Sequence, residues 1–162
     1  MFSFGFLFNY SNAYKQLYNM KTKKRFDILI VEDNPADVYL IRECLSDRGI
    51  IPHLHIVNDG DEALRFLERK SPFEDKSLPK LVILDLNLPK ISGFQVLEFI
   101  KKDIRFKSIP VIILSTSSSI KDISHSYSLN ANCYVVKPKD LEDFSRVVES
   151  IEDFWMETAE VV

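Results

Sequence analysis

Short apolar runs alternate along the chain with longer stretches in which apolar residues recur every three or four positions. Three of the runs (DILIVED, LVILD and VIILS) are continuous rather than alternating, which is typical of parallel strands covered on both faces. The runs predict five β-strands: Ile28–Val31, His53–Val57, Leu81–Leu84, Pro110–Leu114 and Cys133–Val136.

The intervening stretches predict five helices that cover the sheet. The first has Asn34 as its N-cap and Pro35 at its first position, and Gly49 stands where it should end. The other four are marked by apolar stripes: Ala63, Leu64 and Leu67; Val96, Leu97 and Ile100, after a start near Ser92–Gly93; Ile120, Ile123 and Tyr127; and Leu141, Phe144, Val148, Ile151 and Trp155. Five β-α units in sequence predict an α/β fold with a doubly wound parallel sheet and right-handed crossovers.

Composition mainly excludes classes of function. The 162 residues suit one domain with a sizeable core, and the net charge of −3 favours neither a nucleic-acid nor a membrane partner. Cys44 and Cys133 lack C-x-x-C spacing and are interpreted as buried thiols of a protein in the reducing cytoplasm. His53 and His55 share a face of an edge-type strand and, like His125, are interpreted as structural residues.

Residues 1–25 do not follow the α/β pattern and are predicted to be an N-terminal extension. They are aromatic-rich but too short and interrupted to span a bilayer, and no basic stretch precedes their apolar segment as in a signal peptide. Met20 opens the segment in which the regular pattern begins. Two interpretations are open: residues 1–19 are a start-site extension absent from the native product, or they are an arm that docks on a partner.

Polar residues follow the strands at the edge where ligands bind in such sheets. The first strand leads to Glu32 and Asp33, the third to Asp85, the fourth to Ser115 and the fifth to Lys137. Three carboxylates at one edge repel each other unless a cation offsets their charge, and Mg²⁺ prefers such oxygen ligands. Because the chain has no G-x-x-x-x-G-K-[ST] loop for a nucleoside triphosphate, we expect the phosphoryl group on the protein itself, as an aspartyl-phosphate at Asp85. Lys137 and the Ser115 hydroxyl would then bind phosphoryl oxygens.

The sequence resembles the receiver domain of two-component response regulators. The segments that carry the resemblance are ILIVEDNPAD, VNDGDEAL, LVILDLNLPKISG, PVIILST and YVVKP, between about Phe26 and Trp155. The resemblance implies a flavodoxin-like (βα)5 receiver fold over residues 26–156, with a C-terminal tail at 157–162. It also implies a sensor histidine kinase as phosphoryl donor, Mg²⁺ as cofactor and signalling by protein–protein contact.

The resemblance also implies a role for each acidic residue of this edge. Asp85 would be the phosphoacceptor and a Mg²⁺ ligand. Asp33 would ligate Mg²⁺ directly and Glu32 through water. The backbone carbonyl of Asn87 would be a further ligand.

The remaining matches concern the change that follows phosphorylation. Ser115, where threonine is common in the family, would be the switch hydroxyl, and Tyr134 would be the aromatic residue that changes rotamer. From the residues alone, Tyr134 is equally well interpreted as a half-buried core aromatic. The Lys137–Pro138 bond would be cis. Asn130 stands where the family often has glycine, and because asparagine tolerates left-handed conformations, the turn is expected to survive.

The end of the last helix carries Phe154 and Trp155 side by side, which is more apolar surface than a terminal turn needs. With the long first loop and the ILSTSSS segment, this ending resembles the single-domain regulators paired with cyanobacterial and bacterial phytochromes. That resemblance implies a phytochrome-type kinase as partner. It also implies a homodimer through the fourth helix, fifth strand and fifth helix, with Phe154 and Trp155 in the interface.

Two other functions are weighed against this one. A hydrolase with an aspartyl-phosphate intermediate also uses a strand-end aspartate and Mg²⁺, but the D-x-D motif and cap insertion of those enzymes are missing from the sequence. A pseudo-receiver scaffold, which signals without phosphorylation, would have lost the acidic pair, the acceptor or the lysine, and all are present. The sequence therefore predicts a signalling protein, not an enzyme, that assists only its own phosphorylation and dephosphorylation.

Overall fold

The computed structural model describes residues 26–45 and 52–159 of the chain, and within these ranges a single parallel sheet forms the centre of the fold. Its strands are β1 (Phe26–Val31), β2 (Pro52–Val57), β3 (Leu81–Leu84), β4 (Val111–Ser115) and β5 (Cys133–Val136), in the order β2-β1-β3-β4-β5. This order changes direction between β1 and β3, which is where doubly wound sheets bind ligands. The predicted five-stranded parallel sheet is confirmed, with β4 lying one residue later than predicted.

Helices follow the strands: α1 (Pro35–Cys44), α2 (Gly60–Leu67), α3 (Gly93–Lys102), α4 (Ile120–Ser128) and α5 (Leu141–Glu152), which continues into a π-helical turn at Asp153–Thr158. The side chain of Asn34 accepts a hydrogen bond from the Ala36 N–H at 3.0 Å, so the predicted start of α1 is confirmed. Its predicted end at Gly49 lies outside the described residues. None of the described helices has the length and apolar character needed to cross a membrane.

Both faces of the sheet are covered, which explains the continuous apolar runs. Ile28 and Ile30 of β1 face the layer formed with α1 and α5, whereas Leu29 and Val31 face the layer formed with α2 and α3. All four side chains are completely buried. A strand packed on both faces is held rigidly, and so is whatever follows it at its carboxyl end.

Two helices expose part of the apolar stripe that was predicted to face the core. In α4, Ile120 is 80% exposed and Tyr127 is 49% exposed, while Ser126 is buried. Ser126 tolerates burial because its hydroxyl donates a hydrogen bond to the Asp122 carbonyl at 2.9 Å, one turn earlier. Leu141, the first residue of α5, is also exposed, although the rest of its stripe is buried or half-buried.

Two local predictions concern proline and asparagine in loops. Asn130 has φ of 65°, so the predicted left-handed turn before β5 is confirmed. The prediction of a cis Lys137–Pro138 bond is wrong: among the described residues, Ser71–Pro72 is the cis bond. The trans form is the lower-energy isomer of an X-Pro bond by about 0.5–1 kcal/mol.

The cysteines are less buried than predicted. Cys44 and Cys133 are both free thiols, and each is half-buried. Burial still raises the pKa of the Cys133 thiol, which keeps it protonated and unreactive near neutral pH.

Candidate functional site

β1 and β3 end side by side at the centre of the sheet and deliver three carboxylates to one place. Val31 pairs with Leu84 in the β1–β3 register, so Glu32 and Asp85 follow directly on neighbouring strands. Oxygen atoms of Glu32, Asp33 and Asp85 lie within 4.8 Å of one another. Glu32 and Asp85 are buried and Asp33 is exposed, so the cluster is open to solvent on one side.

Lys137, which follows β5, supplies the positive charge of this pocket. Its Nζ lies 2.6 Å from Glu32 Oε2, 2.8 Å from Asp37 Oδ2 and 3.6 Å from Asp85 Oδ2. Burial alone would lower the pKa of Lys137, but its hydrogen bonds to Asp37 and Glu32 raise that pKa above its ordinary value. The lysine is therefore held in its charged form between the carboxylates.

Negative charge nevertheless exceeds positive charge in the pocket. Burial raises the pKa of Glu32, and this outweighs the hydrogen bonds from Lys137 and from the Asn34 N–H, which lies 3.1 Å from Oε1. The nearby Asp85 carboxylate acts in the same direction. A set of hard oxygen ligands with surplus negative charge and one open side suits a divalent cation such as Mg²⁺ or Mn²⁺.

Asp37 is a further member of the pocket, and its position in the sequence does not mark it as one. It lies in the first turn of α1, where an acidic side chain is ordinarily explained by the helix dipole. However, α1 begins only three residues after Glu32, so its first turn overhangs the carboxyl edge of the sheet. That short connection is the signal by which Asp37 could have been found.

Backbone contacts fix the orientation of Asp85. Its N–H donates to the Val31 carbonyl at 3.0 Å, and its Oδ1 accepts from the Leu86 N–H at 2.8 Å, while Oδ2 faces Lys137. Gly93, at the start of α3, packs directly on this segment. A Cβ at residue 93 would lie 2.1 Å from the Asp85 carbonyl oxygen, so only glycine fits there.

Ser115 and Tyr134 both hold the loop after β4, through Ser117. The fully buried Ser115 Oγ accepts a hydrogen bond from the Ser117 N–H at 3.4 Å, and the Tyr134 hydroxyl donates to the Ser117 carbonyl at 2.9 Å. Burial raises the pKa of Tyr134. The Ser115 carbonyl in turn accepts from the Lys137 N–H at 2.8 Å. A shift of this loop is therefore coupled to the ends of both β4 and β5.

The loop after β3, which carries the exposed Asn87, is anchored to the start of α2. Lys90 Nζ lies 2.5 Å from Asp59 Oδ2, and Asp59 Oδ1 caps α2 by accepting from the Glu62 N–H at 2.8 Å. Burial would raise the pKa of Asp59, but the hydrogen bonds from Lys90 and Glu62 lower it. This carboxylate therefore stays ionised and keeps the loop in place.

Phe154 and Trp155 lie on a different surface, in the π-helical turn after α5. Their rings make a T-shaped contact with centroids 5.1 Å apart, and Phe154 is more than half exposed. Both line a groove of 580 Å³ whose other walls include Cys133 and Val135 of β5 and Ile151 of α5. We call this surface the β5–α5 groove.

The parallel sheet and the carboxylate pocket with its lysine define a phosphorelay receiver. A family model for the response regulator receiver domain matches residues 28–149, and the chain belongs to this family. Response regulator Rcp1 of Synechocystis sp. is 44% identical over 131 residues, which cover 81% of this chain and 89% of Rcp1.

Solved structures agree with this assignment. The phosphorylated cyanobacterial phytochrome response regulator RcpA superposes with a TM-score of 0.83 at 43% identity, covering 85% of this chain and 98% of RcpA. The Mn²⁺-bound form of Rcp1 gives a TM-score of 0.82 at 42% identity, covering 85% and 99% of the two chains. The flavodoxin-like receiver fold and a role in phosphorelay signalling are therefore shown for this chain.

Proposed function

We propose that this response regulator accepts a phosphoryl group from a sensor histidine kinase on Asp85. The observation that carries the proposal is the position of Asp85 at the end of β3, with Oδ2 3.6 Å from Lys137 and with the carboxylates of Glu32 and Asp33 close by. Here a nucleophilic carboxylate, a fixed cation and an oxygen-rich metal site converge, as phosphoryl transfer requires.

Asp85 Oδ2 is the nucleophile in this proposal. It forms a bond to phosphorus while the bond from phosphorus to the kinase histidine breaks, and the imidazole leaves with the bonding electron pair. Lys137 has three N–H donors, of which two are directed at Glu32 and Asp37. The third can bind a phosphoryl oxygen without loss of either contact. The buried Ser115 hydroxyl donates to another phosphoryl oxygen and draws its loop toward the pocket.

Mg²⁺ is the cofactor in this proposal. Asp33, Asp85 and the Asn87 carbonyl would hold it directly, and Glu32 would act through water. The all-oxygen donor set and the Mn²⁺-bound form of the relative Rcp1 support this assignment. Glu32 Oε2 is already paired with Lys137, which favours its indirect role. A bound Mg²⁺ supplies positive charge that offsets the charge of the phosphoryl group. The same residues would assist hydrolysis of the aspartyl-phosphate.

We infer a phytochrome-type kinase as partner, because RcpA, described as a cyanobacterial phytochrome response regulator, is 43% identical to this chain. Such a partner fits the cytoplasmic location predicted from the sequence. The output is a homodimer formed through α4, β5 and α5. Exposed Ile120 and Tyr127 on α4, together with Phe154 and Trp155 at the β5–α5 groove, supply its apolar surface.

The phosphorylation proposal is tested by intact mass after incubation with acetyl phosphate. Wild type should gain one phosphoryl group, only when Mg²⁺ is present. Asp85→Asn should gain none, while Asp61→Asn, which removes a carboxylate paired with Arg65 on the protein surface, should behave as wild type. A folded wild-type protein that binds Mg²⁺ but gains no phosphoryl group would contradict the proposal and favour a phosphorylation-independent scaffold.

Sedimentation of phosphorylated and unphosphorylated protein tests the dimer. Phe154→Ser should weaken self-association at least tenfold, because the dimer would bury this ring. Tyr39→Ser, which removes a ring from α1 that is 60% exposed against 53% for Phe154, should not change self-association. A monomer at all concentrations in both states would remove the homodimer from the proposal.

A further inference from the structure

A second group of potential ligands lies at the amino-terminal end of the sheet, away from the acidic pocket. Asp27 of β1 is paired with His53 of β2, and His55 lies two residues further along the same strand. Alternation along parallel strands places the three side chains on the face covered by α2. Asp27 and His55 are buried, while the His53 side chain is 42% exposed.

Three side-chain atoms of these residues converge on one point. His53 Nδ1 lies 2.8 Å from Asp27 Oδ1, His55 Nε2 lies 2.9 Å from the same oxygen, and the two nitrogens are 3.0 Å apart. An imidazole nitrogen either carries one proton or offers one lone pair. If both nitrogens donate to Oδ1, their N–H groups crowd each other. If either is deprotonated, its lone pair faces the carboxylate oxygen. While Asp27 is ionised, hydrogen bonding therefore leaves at least one of the three contacts unfavourable, whichever ring nitrogens carry protons.

A cation that accepts a lone pair from each atom removes this conflict. Tetrahedral Zn²⁺ with bonds of about 2.0–2.1 Å places neighbouring ligand atoms about 3.3 Å apart. The observed separations of 2.8 to 3.0 Å need to widen by only a few tenths of an ångström. Two imidazoles and one carboxylate favour Zn²⁺ over Mg²⁺ or Ca²⁺, which prefer oxygen ligands alone. We propose that Asp27, His53 and His55 form a Zn²⁺ site distinct from the phosphorylation pocket.

The surroundings suit a site with three protein ligands and an open position. The His55 ring packs against Phe66 of α2 with centroids 4.8 Å apart, which fixes its orientation. Asp27 and His53 border a cavity of 410 Å³ that Asp75, Lys76 and Ser77 complete. Water or the Asp75 carboxylate can occupy the fourth position from this cavity. The Lys76 ammonium opposes the binding of a cation, so the site is expected to bind Zn²⁺ less tightly than a structural zinc finger.

Occupancy of this site would join the edge strand β2 to β1 through side chains as well as through the main chain. Glu32 is five positions after Asp27, which corresponds to about 16 Å along an extended strand. The two sites are therefore far enough apart to bind Zn²⁺ and Mg²⁺ at the same time. Zn²⁺ can also enter the acidic pocket. Filling that pocket with Mg²⁺ therefore provides a control, because it leaves the second site free to bind Zn²⁺.

Titration of the full chain with Zn²⁺, against a chromophoric chelator and with excess Mg²⁺ present, tests the proposal. We expect one bound Zn²⁺ per chain. His53→Gln and Asp27→Asn should each weaken binding at least tenfold. His125→Gln, which alters the one histidine outside the cluster, should leave it unchanged. Co²⁺ used as a probe should give the intense visible absorption of a tetrahedral site in wild type and lose it in His53→Gln.

His53→Gln is the decisive variant because His53 is partly exposed, so that its replacement need not disturb the core. Circular dichroism and phosphorylation by acetyl phosphate verify that this variant folds and that its pocket is intact. Undiminished Zn²⁺ binding in His53→Gln would overturn the proposal. So would the loss of all bound Zn²⁺ when Mg²⁺ is added, since the metal would then lie in the acidic pocket.

Discussion

Replacing Lys137 by glutamine removes the positive charge at the centre of the pocket. In wild type the lysine and Glu32 side chains are 5% and 3% exposed, and their charged atoms are 2.6 Å apart. Glutamine can donate a hydrogen bond to one carboxylate but carries no charge. Glu32 and Asp85 are then left buried next to each other without a cation.

Removing one partner of a buried ion pair costs about 3–5 kcal/mol, because the other charge is left uncompensated. Two features should keep the loss of unfolding free energy near the lower limit of this range. The Asp37 side chain is 20% exposed, so solvent screens its interaction with Lys137 and less is lost when the lysine is removed. Glu32 can also take up a proton, since burial already raises its pKa. We therefore expect the free energy of unfolding at pH 7 to fall by ~3 kcal/mol in EDTA.

Mg²⁺ should restore to the variant most of the stability that it loses in EDTA. A ligand at one hundred times its Kd stabilises the folded state by about 2.7 kcal/mol. The variant should bind Mg²⁺ more tightly than wild type does, because the cation no longer competes with Lys137 for the carboxylates. Lowering the pH should also stabilise the variant. The folded state, with the raised pKa of Glu32, takes up a proton at a pH where the unfolded chain does not.

Urea unfolding followed by far-ultraviolet circular dichroism, with EDTA or with Mg²⁺, measures these effects. Lys139→Gln, which replaces an exposed lysine two residues away, is the matched control and should change little. A loss below about 1 kcal/mol in EDTA would be inconsistent with a buried pair. Equal stabilisation of the variant and wild type by Mg²⁺ would refute the charge balance described for the pocket.

Three further changes test other features of the site. Ser115→Ala should alter stability by no more than about 1 kcal/mol but slow phosphorylation by acetyl phosphate, followed by intact mass; an unchanged rate would exclude the proposed role of the hydroxyl. Gly93→Ala, with its Cβ 2.1 Å from the Asp85 carbonyl oxygen, should lower the free energy of unfolding by about 3 kcal/mol or more in urea, and wild-type stability would show that the loop yields. Asp59→Asn breaks the contact with Lys90. Because the folded-state pKa of Asp59 is depressed, its carboxylate stabilises the fold above about pH 5, and this stabilisation is lost as the pH falls through that pKa. The melting temperatures of wild type and variant should therefore differ by a constant amount above about pH 5 and converge in acid. A difference that persists in acid would contradict the ion pair.

The sequence was sufficient to place the central carboxylates because that placement depends only on strand direction. Continuous apolar runs indicate burial on both faces, such burial indicates parallel strands, and parallel strands end at one edge. Glu32 and Asp85 meet for this reason alone. Even the one-residue shift of β4 does not matter, since Ser115 is at the end of the strand with either boundary.

Other contacts depend on geometry that a single sequence does not specify. The short β1–α1 connection indicates that Asp37 lies near the pocket, but its contact with Lys137, 100 positions later in the chain, forms only when the ends of α1 and β5 are brought together in the fold. Asp27 meets the two histidines only in the observed register of β1 and β2, and a shift of one residue would turn it to the other face. The outward apolar stripe of α4 was unpredictable for a related reason: periodicity identifies a helix face but not what covers it.

Trp155 gives the unlabelled protein a single optical reporter, because the chain contains no other tryptophan. Its indole lies against Phe154 at the β5–α5 groove rather than among the carboxylates. Its emission should therefore respond to a partner that covers the groove, with a shift to the blue as the ring loses water. A change in emission on phosphorylation would show that the signal has travelled from the pocket to the turn that follows α5, and its time course in a stopped-flow instrument would give the rate of that passage.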